Sequence, residues 1–263
     1  MQCVHCGHEV STPFCPSCGQ RSGVKRITLR DTLSDFWMNV VGFDGMFLRT
    51  LKDLTRRPGQ VASSYIRGVR VLYFGPISYF FFMITLLLLW VSILGMDFAE
   101  LIRDRQQVMA LDTNNSRGIA LVTRWVADHI KWVLFLAVPF QAIAARHFFF
   151  RKSGYNLMEH TVPLFYTSGH LFWVSMMAFV VLKVAGEQLS IASSLLSVLY
   201  FGYVYADLMQ YQSRLKAFLK GIGVYVGGQL LFVATMMVMV IVVVLILAVV
   251  YPPALDAIKP SRQ

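Results

Sequence analysis

The stretch PISYFFFMITLLLLWVSILG, residues 76–95, decides the fold class of this protein. None of its twenty residues is charged. At about 1.5 Å per residue a helix of this length reaches roughly 30 Å, the thickness of the hydrocarbon core of a bilayer. Only a helix can satisfy the backbone hydrogen bonds of a single apolar segment in that setting. The stretch therefore predicts a membrane-spanning helix.

The composition of the whole chain agrees with a membrane protein. Of its 263 residues, 56% are hydrophobic and 14% are charged, which lies outside the range of soluble globular domains. The net charge of +10 is concentrated in short segments beside apolar runs, where it sets orientation and attracts anionic lipids. We therefore predict an all-α integral membrane protein with anionic lipids, and no nucleic acid, as partners.

Further apolar segments predict a five-helix transmembrane bundle within residues 76–251. The predicted spans are residues 76–95, 131–149, 161–182, 189–208 and 222–250. Basic residues follow the second and fourth spans, whereas the link between the third and fourth contains only Lys183 and Glu187 as charged residues. Because cytoplasmic loops carry the excess of Lys and Arg, we expect a cytoplasmic N-terminus and a short periplasmic tail, residues 252–263.

A cysteine-rich region precedes the spans, and all four cysteines of the chain lie in it as two CxxC knuckles: Cys3, Cys6, Cys15 and Cys18. Four sulfur ligands favour tetrahedral zinc, and a complete shell leaves no coordination position for a catalytic water. Residues 1–22 are therefore predicted to form a zinc ribbon in which the metal is structural. Two alternatives stay open: a pair of disulfides, or ligation by His5 or His8 in place of a cysteine.

A basic segment, residues 23–75, joins the cysteine-rich region to the first span. Its apolar residues recur with helical spacing and predict amphipathic helices. The helices either lie in the cytoplasmic lipid interface or pack on each other and on the membrane domain. The basic side chains that we expect to contact lipid head groups are Arg49, Lys52, Arg56, Arg57, Arg67 and Arg70.

Four runs of sequence carry a family resemblance: FCPSCGQ, RITLRDTL, FDGMFLRTLKDLTRRPGQVASSYIRGVRVLYFGPISYF and YNLMEHTV. Together they resemble a bacterial family known as domain-of-unknown-function family 3667. The resemblance covers about the first 95 residues well and the middle of the chain more loosely. It implies a bacterial inner-membrane protein with a short zinc-ribbon N-terminus and a multispan membrane region. It implies no activity, substrate or catalytic residue.

Polar residues in and near the later spans form a candidate intramembrane site. Helical spacing places His170 about 16 Å deeper than Glu159, close to the bilayer midplane. An ionisable residue at that depth is a functional candidate, and a structural hydrogen bond to a neighbouring helix is the alternative. We expect Asp207 to pair with Arg146 or Arg151. The candidate site comprises His170, Glu159, Tyr166, Gln141, Gln229, Asp207 and Arg146.

The motifs favour a protein that is not an enzyme. The sequence contains no phosphate loop, HExxH motif or nucleophile elbow. The favoured hypothesis is an inner-membrane adaptor or assembly protein whose zinc ribbon binds a cytoplasmic partner. The alternative is a transporter or lipid-translocating protein with a polar pathway past His170. A GxxxG pair, Gly223 and Gly227, indicates packing within the chain or, less favoured, a contact in an oligomer.

Overall fold

The structure, a computed structural model, describes residues 2–23, 46–96, 124–185 and 189–250. In these ranges the regular secondary structure is helical, and pairing between extended residues is limited to isolated bridges. The all-α prediction is confirmed for this part of the chain. The helices are α1 (Met46–Arg56), α2 (Pro58–Ile66), α3 (Pro76–Ile93), α4 (Ile130–Ala144), α5 (Leu157–Ala185), α6 (Leu189–Leu208) and α7 (Arg214–Val250).

Some predictions concern other parts of the chain. The beginning of the basic segment, residues 24–45, and the predicted periplasmic tail, residues 252–263, lie outside the described residues. The described residues of the basic segment are those that carry α1, α2 and the joining segment, residues 67–75, which leads into α3.

Three of the described helices are long and apolar enough to cross a membrane: Pro76–Ile93, Ile130–Phe149 and Arg214–Met239. The first is α3, the second is α4 with its continuation as a π-helical turn, and the third is the larger part of α7. They indicate that the protein is associated with a membrane. Helices α5 and α6 occupy the segments predicted as the third and fourth spans.

Local sequence explains where α3 begins and ends. Pro76 is its first residue, a position where a backbone N–H would have no helical partner in any case. Gly95 follows the helix with a φ of +68°, and the N–H of Met96 donates to the carbonyl of Val91 at 3.1 Å. This closing turn satisfies a carbonyl at the end of the helix. The helix between Pro76 and this turn has 18 residues.

Helices α3 and α5 run parallel to each other. Tyr79, in the first turn of α3, contacts His170 of α5, and further along both helices the indole N–H of Trp90 donates to the carbonyl of Met176 at 3.2 Å. Since the two contacts follow the same order along each helix, α3 and α5 point in the same direction.

Helix α7 runs antiparallel to α4. Gly223 and Gly227 both lie against Phe149, and Gly228, further along α7, lies against Gln141, which comes earlier in α4. A Cβ added at Gly223 would overlap the Phe149 ring. The GxxxG pair therefore makes a close contact within the chain, as the favoured interpretation predicted.

Helices α1 and α2 pack on the longer helices that follow them. Leu54 is 1% exposed, Val61 0% and Tyr65 2%, and all three belong to the same core cluster as residues of α3 and α5. The packed arrangement is therefore the one observed for these two helices. Other helices of the chain cover Leu54, Val61 and Tyr65, whereas Leu48 of α1 is 68% exposed.

Candidate functional site

The cysteine module, residues 2–23, brings the four predicted ligands together. Their Sγ atoms all lie within 4.8 Å of one another, and the Cys3–Cys18 and Cys6–Cys15 pairs are each 3.6 Å apart. All four are free thiols, and His5 and His8 are exposed and outside the group. The geometry is compatible with a metal site made of sulfur alone.

The two knuckles repeat the same backbone turn. The N–H of Gly7 donates to the carbonyl of Cys3 at 3.0 Å, and the N–H of Gly19 donates to that of Cys15 at 2.8 Å. The two glycines have φ angles of +74° and +73°, a region that other residues rarely adopt. Each glycine therefore allows the chain to turn back tightly after a CxxC pair.

The pKa values of two of the thiols, those of Cys3 and Cys18, are shifted in opposite directions. Hydrogen bonding from the backbone of Cys6 lowers the pKa of the Cys3 thiol to about 6 despite partial desolvation. At Cys18 the backbone of Gln20 acts in the same direction, but desolvation and the neighbouring thiols together raise its pKa to about 12. Four thiolates so close together repel one another unless a cation lies between them.

Gln20 holds the cysteine module on the rest of the protein. Its side-chain amide donates to the carbonyl of Gly68 at 2.6 Å, and its Oε1 accepts from the N–H of Arg70 at 3.3 Å. The residue is 2% exposed. Both ends of the amide thus bind the backbone of the joining segment. Sequence reasoning missed this role because Gln20 is one polar residue in the run FCPSCGQ, with no spacing that marks it.

Replacement of Gln20 by alanine should loosen the module without removing its metal. The Arg70 N–H would lose its acceptor, and we expect its hydrogen exchange to become about tenfold faster, the effect of one lost neutral hydrogen bond. Hydrogen-exchange mass spectrometry of the joining segment checks this, with the metal content measured in parallel. Gln60→Ala, at an exposed position of α2, is the matched control. Unchanged exchange at Arg70 would contradict the docking role.

Two buried polar side chains of α1 fix the joining segment from the other side. Thr50 is 0% exposed and accepts from the N–H of Phe74 at 2.9 Å. The carboxylate of Asp53 accepts from the Tyr73 hydroxyl at 3.0 Å and from Arg57 at 3.2 Å. Burial, followed by the hydrogen bond to Asp53, raises the pKa of Tyr73, and the same carboxylate raises the pKa of Arg57. Tyr73 therefore remains a neutral donor.

Asp207 caps helix α2 from a distant part of the chain. One of its carboxylate oxygens accepts from the N–H groups of Gly59 and Gln60 at 2.8 and 3.3 Å. A carboxylate in the last turn of its own helix, α6, is unfavourable there, whereas the N-terminus of α2 offers unpaired N–H groups and a positive dipole end. The predicted pairing with Arg146 or Arg151 is wrong, because this cap occupies Asp207 and Arg146 donates to the carbonyl of Arg151.

Replacement of Asp207 by alanine should lower the free energy of unfolding by about 1–2 kcal/mol, the usual cost of losing a helix cap. Asp207→Asn retains an acceptor and should cost less, because only the charge is lost. Thermal unfolding of the detergent-solubilised protein measures both, with exposed Asp128→Ala as the control. Equal stability of Asp207→Ala and wild type would contradict the assignment.

Two tyrosines of α6 also bind the end of α1. Tyr200 donates to the carbonyl of Leu54 at 2.9 Å, and Tyr203 donates to that of Arg56 at 2.6 Å. Carbonyls in the last turn of a helix have no partner in that helix, so these hydroxyls satisfy two terminal groups of α1. Helix α6 therefore binds both ends of the turn between α1 and α2.

His170 lies in a closed set of contacts. Its Nδ1 is 3.2 Å from the Tyr79 hydroxyl, its Nε2 is 3.2 Å from Thr55 Oγ1, and its ring stacks on Tyr200 with centroids 5.3 Å apart. Because Tyr79 is in the first turn of α3, His170 lies beside the beginning of that helix. This arrangement agrees with the structural alternative, a hydrogen bond to neighbouring helices.

The structure does not bring the seven residues of the candidate polar site together. Tyr166 is buried and donates to the carbonyl of Phe74 at 2.7 Å. Glu159 forms a reciprocal cap with Asn156 at the beginning of α5, with both hydrogen bonds at 2.7 Å. These residues, like Asp207 and Arg146, have separate roles in holding segments of the chain.

Gln141 and Gln229 both line one cavity, which lies between the long helices. Its volume is about 290 Å³, and α3, α4, α5, α6 and α7 all contribute to its lining. His170 is not among the lining residues, although Ser168 and Leu171 on either side of it are. The deep polar residues of the sequence prediction thus have different surroundings. His170 is enclosed by side chains, whereas Gln141 and Gln229 border a cavity.

The predicted head-group residues remain on the surface for the most part. Arg70 is half-buried, and its guanidinium lies over the ring of Tyr65, 5.5 Å from the centroid. The exposed members of the set are Arg49, Lys52, Arg56, Arg57 and Arg67.

A comparison with protein families gives a match to the segment at which many of these contacts meet. Residues 44–88 match a family described as "Protein of unknown function (DUF3667)". The resemblance noted from the sequence is confirmed over this segment. It contains α1, α2, the joining segment and most of α3, and hence the groups that bind Gln20, Asp207 and His170. Neither a search of curated proteins nor a search of solved structures gave a match.

Proposed function

We propose that this protein is a non-enzymatic adaptor or assembly protein of the bacterial inner membrane, which binds a cytoplasmic protein through its cysteine module. The observation that carries the proposal is the exposure of two apolar side chains on that module. Val4, directly after Cys3, is 58% exposed, and Phe14, directly before Cys15, is 60% exposed. Apolar side chains held in water by a rigid backbone are typical of a protein contact surface.

Zinc is the ion that we assign to the module, and the module is then a zinc ribbon. A tetrahedral ion with Zn–S bonds of about 2.3 Å has sulfur atoms about 3.8 Å apart, close to the 3.6 Å separation of the Cys3–Cys18 and Cys6–Cys15 pairs. With all four positions taken by cysteine, the ion holds the fold of a segment too short to build a core. It thereby fixes Val4 and Phe14 in place.

A five-span topology suits this role. Helices α3 and α5 run parallel, as the first and third spans of an alternating bundle would, and α7 runs antiparallel to α4, as the fifth and second spans would. The distribution of basic residues favours a cytoplasmic N-terminus and a periplasmic C-terminus. The exposed arginines and Lys52 of the first 75 residues would then face anionic lipid head groups on the cytoplasmic side.

The contacts of the module support an adaptor rather than a freely tethered domain. Gln20 binds the joining segment, which continues directly into α3, and Asp207 binds the adjoining helix α2. A partner bound to the module would therefore be held at a fixed position relative to the membrane helices. A flexibly attached module would not fix the position of the partner relative to these helices.

The transport alternative has less support from the contacts of His170. Its ring is enclosed by Thr55, Tyr79 and Tyr200, and the cavity in the bundle is not lined by it. A polar pathway past His170 would require these contacts to open.

Affinity purification of full-length protein from gently solubilised membranes tests the adaptor proposal. The wild type should retain a protein partner that the double variant Val4→Asp/Phe14→Asp loses, because charges on the apolar surface oppose burial. Ser11→Asp, at an exposed polar position of the same module, is the matched control and should retain the partner. Zinc content must be equal in all three. Retention of the same proteins by wild type and double variant would overturn the proposal.

A further inference from the structure

The cavity in the helix bundle has a composition suited to a ligand. Apolar side chains form most of its wall, and its polar members are amides and hydroxyls, among them Gln141, Gln229, Ser168, Ser175 and Ser197. The described lining contains no carboxylate and no basic side chain. A charged ligand would therefore meet no group of opposite charge, whereas an uncharged one would lose little solvation.

Gln141 lines this space and carries an unused acceptor that is buried in its wall. The residue is 3% exposed, and its Oε1 has no hydrogen-bond partner among the described residues. Its position is fixed by Gly228 of α7, since a Cβ added at that glycine would lie 2.6 Å from Gln141 Cα. Buried carbonyl oxygens normally have a partner, so an orphaned one at a cavity indicates a group that arrives from outside the chain.

We propose that the cavity binds an uncharged, mainly apolar molecule whose hydroxyl group donates a hydrogen bond to Gln141 Oε1, once the side-chain amide turns this atom from the wall towards the cavity. The apolar wall receives the hydrocarbon part, and the amide fixes the orientation of the polar end. At about 30 Å³ per water molecule in the liquid, the volume corresponds to on the order of ten waters, which suits the hydroxyl-bearing end of an amphiphile. This site is separate from the proposed partner surface on the cysteine module and does not depend on it.

Photoaffinity labelling of the full-length protein in lipid nanodiscs tests the proposal. The probe is a long-chain alcohol with a diazirine in its chain, and the labelled peptides are identified by mass spectrometry. The competitors are decanol, decyl methyl ether, which has no donor, and decanoate, which is charged. We expect label on α4 and α7 peptides and competition by decanol at about a tenth of the ether concentration, the effect of one neutral hydrogen bond. Decanoate should compete least.

Three variants test whether the hydroxyl group of the ligand binds at Gln141. Gln141→Leu should remove the difference between decanol and its ether while leaving the apolar wall able to bind both. Ser175→Leu, which fills the cavity from α5, should reduce labelling by the probe altogether and serves if Gln141→Leu does not fold. Thr235→Val is the matched control, because its hydroxyl is on α7 but bonded to its own helix at Leu231.

The outcomes are distinct. Decanol and ether competing equally in the wild type would show an apolar void or a hydrated cavity without donor recognition, and would overturn the proposal. Absence of label from α4 and α7, or equal competition by decanoate, would do the same. Loss of discrimination in Gln141→Leu but not in Thr235→Val would establish it.

Discussion

Replacement of Gly59 by alanine should destabilise the protein by about 3 kcal/mol or more, at the upper end of overpacking effects. A Cβ at this position would overlap the backbone of Leu208, at the end of α6. Because the obstacle is backbone and not the end of a flexible side chain, α2 would have to move away, and the cap by Asp207 would lengthen or break. Alanine gains up to about 1 kcal/mol of helix propensity over glycine, which is too little to offset this.

Thermal unfolding and the yield of monodisperse protein in detergent measure the effect of Gly59→Ala. Gly227→Ala is the matched control, since its Cβ would lie 3.2 Å from the far edge of the Phe149 ring, which can adjust. We expect the control to change stability by no more than about 1 kcal/mol in either direction. Similar behaviour of the two variants would contradict the close packing of α2 on α6.

Replacement of Cys15 and Cys18 by serine should remove the metal and unfold the cysteine module. Structural zinc sites contribute on the order of 10 kcal/mol or more of binding energy near neutral pH, and a segment of this size has no core to replace it. We expect elemental analysis to give one zinc per chain for the wild type and none for the variant. Amides of residues 2–23 should then exchange at the rate of an unfolded chain, while α3 remains protected and membrane insertion is unchanged.

His5→Ala/His8→Ala provides the control for metal binding. Both histidines are exposed and outside the sulfur cluster, so this variant should keep one zinc per chain. A full complement of metal in the cysteine variant, or loss of metal in the histidine variant, would contradict a site made of four sulfur ligands.

The features that the sequence predicted are those with local patterns. A CxxC pair brings two thiols together through one turn, so the cysteine cluster follows from spacing alone. The uncharged run from Pro76 likewise predicts α3, because its length and apolarity suffice. Helical spacing in the basic segment, residues 23–75, predicted amphipathic helices but left open what covers their apolar faces, since lipid and protein are equally apolar there.

The features that the sequence did not predict depend on contacts between distant segments. Asp207 and Gly59 lie far apart in the chain, and neither has a motif that indicates a shared cap. The contact of His170 with the first turn of α3 was not predictable either, because counting residues from Glu159 along α5 does not show where α3 begins beside it. Separation of Gln141 from His170 likewise requires the packing of whole helices.

The most direct test of the adaptor account is photo-cross-linking from the position of Phe14 in the native membrane. Benzoylphenylalanine replaces Phe14 in the full-length protein, and the same probe is placed in the Cys15→Ser/Cys18→Ser background. The account predicts a cross-link to another protein in the metal-bound chain and its loss when the zinc site is removed. Cross-links to lipid or to the same chain alone, or a protein cross-link that persists without the metal, would contradict it.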